Sequence, residues 1–259
     1  MRLSVIIPTR ALDARVLQHL TRVRAALPTA EILVVEPEQP REPPHAGGHP
    51  DRAPSRQLSP ETMARSPGAI AALDLRRLTA ERGRGTQCRA GAESAAGNLL
   101  LFLHDDTRLP EDAEAVIRRA FEDPSIGAAC FRLAFDRRHW LLGIYGWLSR
   151  FETLFTTFGD QAMVVRRELY DAVGGFPDWP LFEDVELARR LRRRTRIRKL
   201  PQRVVTSAER FEKRGMLRQQ FGNGWLMLRF LLGASPTRLA AHYEAQRAGQ
   251  TRQTEGAIP

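Results

Sequence analysis

Three short apolar runs constrain the fold of this chain more than any other feature: residues 3–7 (LSVII), 31–35 (EILVV) and 99–103 (LLLFL). Each is too short for a buried helix. Each is cut off by a breaker or by charge, at Pro8, at Glu36-Pro37 and at His104-Asp105-Asp106. Such runs, bounded by turn signals, read as strands covered on both faces, the habit of parallel sheets. Between the first two, residues 13–26 set Val16, Leu20 and Val23 on one side of a helix, with Leu17 adjoining. A strand, a helix and a second strand make a parallel pair with a right-handed crossover. The chain is therefore expected to be an α/β protein built on a mixed, mostly parallel sheet flanked by helices.

The rest of the chain divides on the same signals. Residues 37–67 carry many prolines, Gly47-Gly48 and few large apolar side chains, the pattern of a long flexible insertion. Helical patterning returns around 68–80. A small-residue helix is expected over 86–96, ending at Gly97. Pro110 and two acids open a helix over 110–122. Strands are expected at 126–135, 161–166 and 196–205, with helices at 166–173 and 182–193. The segment 213–244 reads as mostly helical, and the last dozen residues as loose. One domain over 1–245 with a disordered tail, 246–259, follows. Two stretches, His139–Leu148 and Phe221–Leu232, are apolar enough to be core helices. The competing reading is a greasy surface for a lipid-linked acceptor or a membrane face.

Composition removes several classes. The net charge is +10. Nearly all the basic residues are arginine, with Lys199 and Lys213 the exceptions, a bias expected of a GC-rich genome as much as of a binding footprint. The densest basic run, Arg189 to Lys199, falls on a helix and the strand after it, where a solvated face is the ordinary outcome. No nucleic-acid partner is expected. Cys88 and Cys130 cannot form a disulfide framework, and no Cys/His metal spacing is present. MRLSVIIPTR is too short and too soon interrupted to be a secretory signal. The expected location is cytoplasmic, with peripheral contact at the inner membrane face as an extension.

Three segments carry chemistry. Asp105 and Asp106 follow the strand LLLFL, and ligands of open α/β sheets bind beyond the carboxyl ends of strands. Adjacent acids there call for a cation. Mg²⁺ or Mn²⁺ needs only one or two carboxylates when a diphosphate and water complete its shell. A polar turn with a capping Asp explains the same residues equally well. Glu183 and Asp184 open a helix, where acids also serve as ordinary dipole partners. Functionally, a carboxylate there would suit a general base. Arg82-Gly83-Arg84-Gly85-Thr86-Gln87 combines glycines that allow close backbone approach with arginines suited to diphosphate.

These segments occur in the order seen in family 2 glycosyltransferases, which have the GT-A fold, and the chain resembles them. SVIIPT resembles the first strand and nucleotide loop, EILVVE the second strand with its base-contacting acid, and LLFLHDDTRLP the strand ending in the metal-binding acids. GGFPDWPLFEDVELARRL resembles the acceptor-side segment with its Glu-Asp pair. The bacterial subgroup often labelled arsenosugar or selenium-associated is the closest in pattern, through RGRGTQCRAGA, GDQAMVVRRELYDAVGGFP and VVTSAERFEKRG. The resemblance implies an inverting, non-processive, metal-dependent transfer of one sugar from a nucleotide-sugar, with a UDP-sugar the expected donor. The acceptor would be a small molecule or lipid-linked.

It also implies roles. Asp106 would ligate Mg²⁺ or Mn²⁺, and Asp105 would bind donor ribose or assist the metal. Pro8, Thr9 and Glu36 would line the base pocket. Arg84 would face the diphosphate, with Gln87 among the donor-binding residues. Asp184 would be the base, and Glu183 would position donor or acceptor. Gly159, Asp160 and Gln161 would lie on the acceptor side of the sugar. The chain departs from the pattern at Glu36, where Asp is usual, at Arg89, where Asn is common, and at Thr206-Ser207, where relatives place a third metal contact. A nucleotidyltransferase is a rival, although the loop PTRALDAR lacks its Gly-Lys signature. A non-catalytic nucleotide-sugar-binding protein is another.

Overall fold

A computed structural model describes residues 1–38, 73–137, 139–153, 156, 159–208 and 216–241. Most of the expected insertion and the tail 246–259 lie outside the described residues. Eight strands form one sheet: β1 Leu3–Pro8, β2 Glu31–Pro37, β3 Leu75–Ala80, β4 Leu99–Phe102, β5 Thr107–Arg108, β6 Ala128–Phe135, β7 Met163–Arg166 and β8 Ile197–Thr206. Their order is β3-β2-β1-β4-β7-β6-β8-β5. Strands β1, β2, β3 and β4 run parallel to one another, and β7 turns the direction over, pairing antiparallel with both β4 and β6. The helices are α1 Ala14–Ala26, α2 Arg84–Ser94, α3 Ala113–Phe121, α4 Trp140–Leu148, α5 Arg167–Ala172, α6 Glu183–Arg192 and α7 Met216–Leu231. The result is the mixed α/β sheet flanked by helices that the apolar runs imply.

The central strands form where they do because they have no polar face to offer water. Every residue of β1 and of β4 is buried. Helix α1 starts at Asp13, whose side chain accepts from the Val16 amide at 2.8 Å. It buries Val16, Leu20 and Val23 on the sheet. At its other end Arg24 bonds the carbonyls of Leu73, Ala30 and Asp74, closing the path into β3.

Helix α2 packs on the other face by its small residues. A Cβ on Gly91 would lie 2.4 Å from Ile6 Cγ2, so only glycine lets the helix approach β1 this closely. That approach carries the amino end of α2, with Arg84, to the carboxyl ends of the strands.

Three expectations change. The segment 75–80 is a strand and not a helix. As the edge strand beside β2 it exposes Arg76 and holds Arg77 against Glu36, so sheet pairing overrides local pattern. The expected insertion does not begin at Pro37, since Pro37 ends β2 and the Glu38 amide still donates to Ala80. The segments 139–148 and 221–232 are not core helices along their length. In α4 only Leu142 is buried, and around the end of α7 Trp225, Leu228, Leu231 and Leu232 are exposed. Among the described residues, no helix is long and apolar enough to cross a membrane.

Candidate functional site

The sheet order fixes where a ligand can sit. The chain builds β1, β2 and β3 outward in one direction, then returns to place β4 on the other side of β1. The carboxyl ends of β1 and β4 therefore diverge into a crevice, the switch point at which open α/β sheets bind ligands. Pro8 and Thr9 leave β1 on one side, and His104, Asp105 and Asp106 leave β4 on the other. Thr9 Oγ1 donates to Asp105 Oδ2 at 2.8 Å and joins the two sides.

Behind this crevice the first loop is braced. Gln87 Nε2 donates to the carbonyls of Thr9 at 2.9 Å and Val35 at 2.6 Å. Glu36 is buried, accepting from the Leu12 amide at 3.1 Å and from Arg77 Nε at 2.8 Å. Gln87 and Glu36 thus hold the Pro8–Thr9 loop in place. Arg77 is a partner that sequence reasoning missed, because an exposed arginine in an expected helix carries no mark of its strand pairing.

Two further segments close the crevice. Helix α6 begins with Glu183 and Asp184, and a single turn over Gly159–Gln161 lies against it. The Gly159 amide donates to Asp184 Oδ2 at 2.7 Å, and the Val185 amide reaches Asp184 Oδ1 at 2.8 Å. A Cβ on Gly159 would come within 3.1 Å of His104 Nε2 and 3.0 Å of Asp184 Oδ2, so β4, this turn and α6 meet at one point. Pro8, Arg84, His104, Gly159 and Asp184 line one small cavity there. Glu183 is buried beside Arg84, 3.8 Å away, and a Cβ on Gly85 would press on Pro177 O and Glu183.

The backbone is strained on both sides of this junction. Phe182, just before Glu183, has φ 63°, and Ala162, just after Gln161, has φ 51°. Neither is glycine, and such conformations persist only where surrounding structure holds them. Phe182 is held by stacking on Phe230 of α7, with ring centroids 4.8 Å apart.

Charge is crowded here. Burial raises the Asp160 carboxyl to about 7, with Asp184 and then Asp106 adding to the rise and Arg84 and Lys199 opposing it. Glu183 is raised too, by burial first and then by Asp184, against the pull of Arg84. Asp160 Oδ1 is a buried oxygen with no hydrogen-bond partner. A buried Asp160 facing the charges of Asp184 and Asp106, with one oxygen left without a hydrogen-bond partner, fits a divalent cation nearby. Among the described residues, no three His, Cys, Asp or Glu side chains are grouped to cage a metal unaided. The donor set fits Mg²⁺ or Mn²⁺ held by one or two carboxylates, with phosphate oxygens completing the shell. Asp106 is the candidate ligand, seconded by Asp105.

Arg89 Nε donates to the Phe176 carbonyl at 3.0 Å, tying α2 to the loop that leads into α6. Thr206 pairs with Thr107 in the β5–β8 ladder, where their hydroxyls are 3.2 Å apart, placing it next to Asp106 in the fold. Gln161 faces inward, accepting from Lys199 Nζ at 2.6 Å.

Solved structures share this fold. A mannosyltransferase, PcManGT from Pyrobaculum calidifontis in complex with GDP-Man and Mn²⁺, superposes with a TM-score of 0.56 over 94% of this chain and 69% of its own, at 18% identity. The fold is GT-A. TarS 1–349 from S. aureus in complex with UDP-GlcNAc also has the GT-A architecture found here, with a TM-score of 0.55 at 16% identity. That match covers 80% of this chain and 58% of TarS 1–349, so the chain spans less than two thirds of that protein's length. No protein-family model matches the chain, and no curated protein matches it by sequence. In GT-A terms, the crevice between β1 and β4 corresponds to the region beyond the strand ends where such sheets bind ligands.

Proposed function

We propose that the chain is a metal-dependent glycosyltransferase of the family 2 type, in the arsenosugar or selenium-associated bacterial subgroup, that moves one sugar from a nucleotide-sugar to an acceptor hydroxyl. A UDP-sugar is the favoured donor, and the reaction is inverting and non-processive. The observation that carries this reading is the convergence of Arg84, His104, Gly159 and Asp184 on one cavity at the switch point, beside Asp105 and Asp106. The GT-A neighbours bound to UDP-GlcNAc and to GDP-Man with Mn²⁺ support it.

In this proposal Thr9, Pro8 and Glu36 set the wall of the nucleotide pocket. Arg84 lies against the diphosphate, where fixed positive charge favours the leaving group as the sugar–oxygen bond breaks. The acceptor oxygen forms the new bond to the anomeric carbon while its proton passes to Asp184. The hydrogen bond from Gly159 holds Asp184 in one orientation for that transfer, and Glu183 positions the sugar. A bound Mg²⁺ or Mn²⁺, held by Asp106, supplies Lewis-acid stabilisation of the departing phosphate charge.

The test is calorimetric titration of the protein with UDP and GDP, each with and without Mn²⁺. Metal-dependent binding of one nucleotide, lost in Asp106→Ala, is the expected result. Binding of neither nucleotide overturns the proposal. Binding without any turnover over a panel of donors and acceptors favours the non-catalytic sensor instead.

A further inference from the structure

Apart from Met1, the described large apolar side chains that stand in solvent fall into two short segments, 140–151 and 225–232. The first is the more regular. Trp140 is 67% exposed, Ile144 45%, Trp147 52%, Leu148 37% and Phe151 44%. Their spacing is that of one helical stripe, and α4 (WLLGIYGWL) carries no charged residue. A contiguous exposed patch of this kind marks a surface that meets something.

The helix is fixed, so the stripe is presented by design of the packing. A Cβ on Gly146 would lie 3.0 Å from the Leu133 carbonyl, which means α4 lies close on β6 through its glycine. Ser149 Oγ accepts from the Leu133 amide at 2.8 Å and donates to Gly146 O at 2.7 Å. With that side pinned to the sheet, the two tryptophans are left facing out.

Beside the stripe runs an open groove of about 710 Å³, lined by Leu133, Phe135, Trp140 and Trp147 together with Arg137 and Arg203. Its charged lining is arginine, with no acid. Arg150 adds a third guanidinium, 5.8 Å above the Trp147 ring. Tryptophan and arginine at the border of an uncharged stripe match the boundary between lipid headgroups and acyl chains. The chain's net charge of +10 acts in the same direction.

We infer that the α4 face is a docking surface for an anionic membrane, with Trp140, Ile144 and Trp147 entering the interface and Arg137, Arg150 and Arg203 meeting lipid phosphates. This goes beyond the proposed reaction and does not depend on it, since vesicle binding is measured with no nucleotide present.

The experiment is flotation of the full chain with vesicles of phosphatidylcholine alone and of phosphatidylcholine with phosphatidylglycerol. Binding to the anionic vesicles should exceed binding to neutral ones by on the order of tenfold and weaken with salt. The double substitution Trp140→Ser/Trp147→Ser should weaken anionic-vesicle binding about tenfold or more. Both residues are exposed, so circular dichroism and nucleotide titration should match the parent. Arg203→Glu should weaken binding with both tryptophans intact. No binding to anionic vesicles, or binding undiminished in the double variant, overturns the inference. So does a dimer in sedimentation velocity that the double variant dissolves, which would assign the face to a second copy of the chain.

Discussion

The Gly159 amide donates to Asp184 Oδ2 at 2.7 Å, and this bond joins the turn after α4 to the first turn of α6. It sets the orientation of the one carboxylate that lines the cavity together with Arg84 and His104. The second oxygen of Asp184 is held by the next amide of its own helix. A carboxylate held at both oxygens by backbone amides keeps its direction.

Asp184→Asn keeps one oxygen to accept from the Gly159 amide, gives up the second acceptor that faces the Val185 amide, and removes the proton acceptor. It should lower turnover about a hundredfold or more while leaving nucleotide affinity unchanged. Steady-state rates beside calorimetric affinities check this. Normal turnover in the variant would show that another group takes the proton.

Asp106 is the proposed metal ligand, and Asp105 is tied to Thr9. Asp106→Asn should abolish the Mn²⁺ dependence of nucleotide binding. Asp105→Asn should keep some metal dependence and weaken affinity, because the Thr9 hydroxyl can still donate to an amide oxygen. Titrations of both variants with and without Mn²⁺ separate the two roles.

The raised Asp160 carboxyl makes stability depend on pH. Its value is about 7 in the folded chain against 3.8 for the unperturbed group, so between these the folded state binds more protons than the unfolded one. Stability from this group therefore falls as pH rises through that window. His19 acts oppositely below 6.5, since burial lowers it and the unfolded chain takes up the proton there. Comparison with Asp160→Asn isolates the acid: at pH 8 the variant should be more stable than the parent by about 1–3 kcal/mol, and the gap should close towards pH 4. Urea melts across pH, without divalent metal, measure it. Added Mn²⁺ at pH 8 should stabilise the parent more than the variant.

Two glycines in helices should respond with opposite signs. Gly91→Ala forces a methyl to 2.4 Å from Ile6 Cγ2 and should destabilise by about 1–3 kcal/mol through overpacking between α2 and β1. Gly143→Ala, in α4, meets nothing within 4 Å and should stabilise by about 0.5–1 kcal/mol through helix propensity. Thermal melts of the two variants decide both.

The buried strands and most helices are legible in the sequence because their signal is local. LSVII, EILVV and LLLFL have only one stable use, the middle of a sheet, and the pattern of Val16, Leu20 and Val23 has only one period. The acids at 105–106 and 183–184 are legible as candidates by their place after a strand and at a helix start. Tertiary structure alone decides the rest. It makes 75–80 a strand, because pairing with β2 and the ion pair to Glu36 outweigh local pattern. It gives Gln87 and Arg89 bracing roles, and it raises Asp160 by burying it first and by bringing Asp184 and Asp106 from separate segments of the chain near it second. It also turns Trp140 and Trp147 outward, because an apolar helix of nine residues reads alike whether sheet or solvent covers it. Periodicity tells which residues share a face, and only packing determines what that face meets.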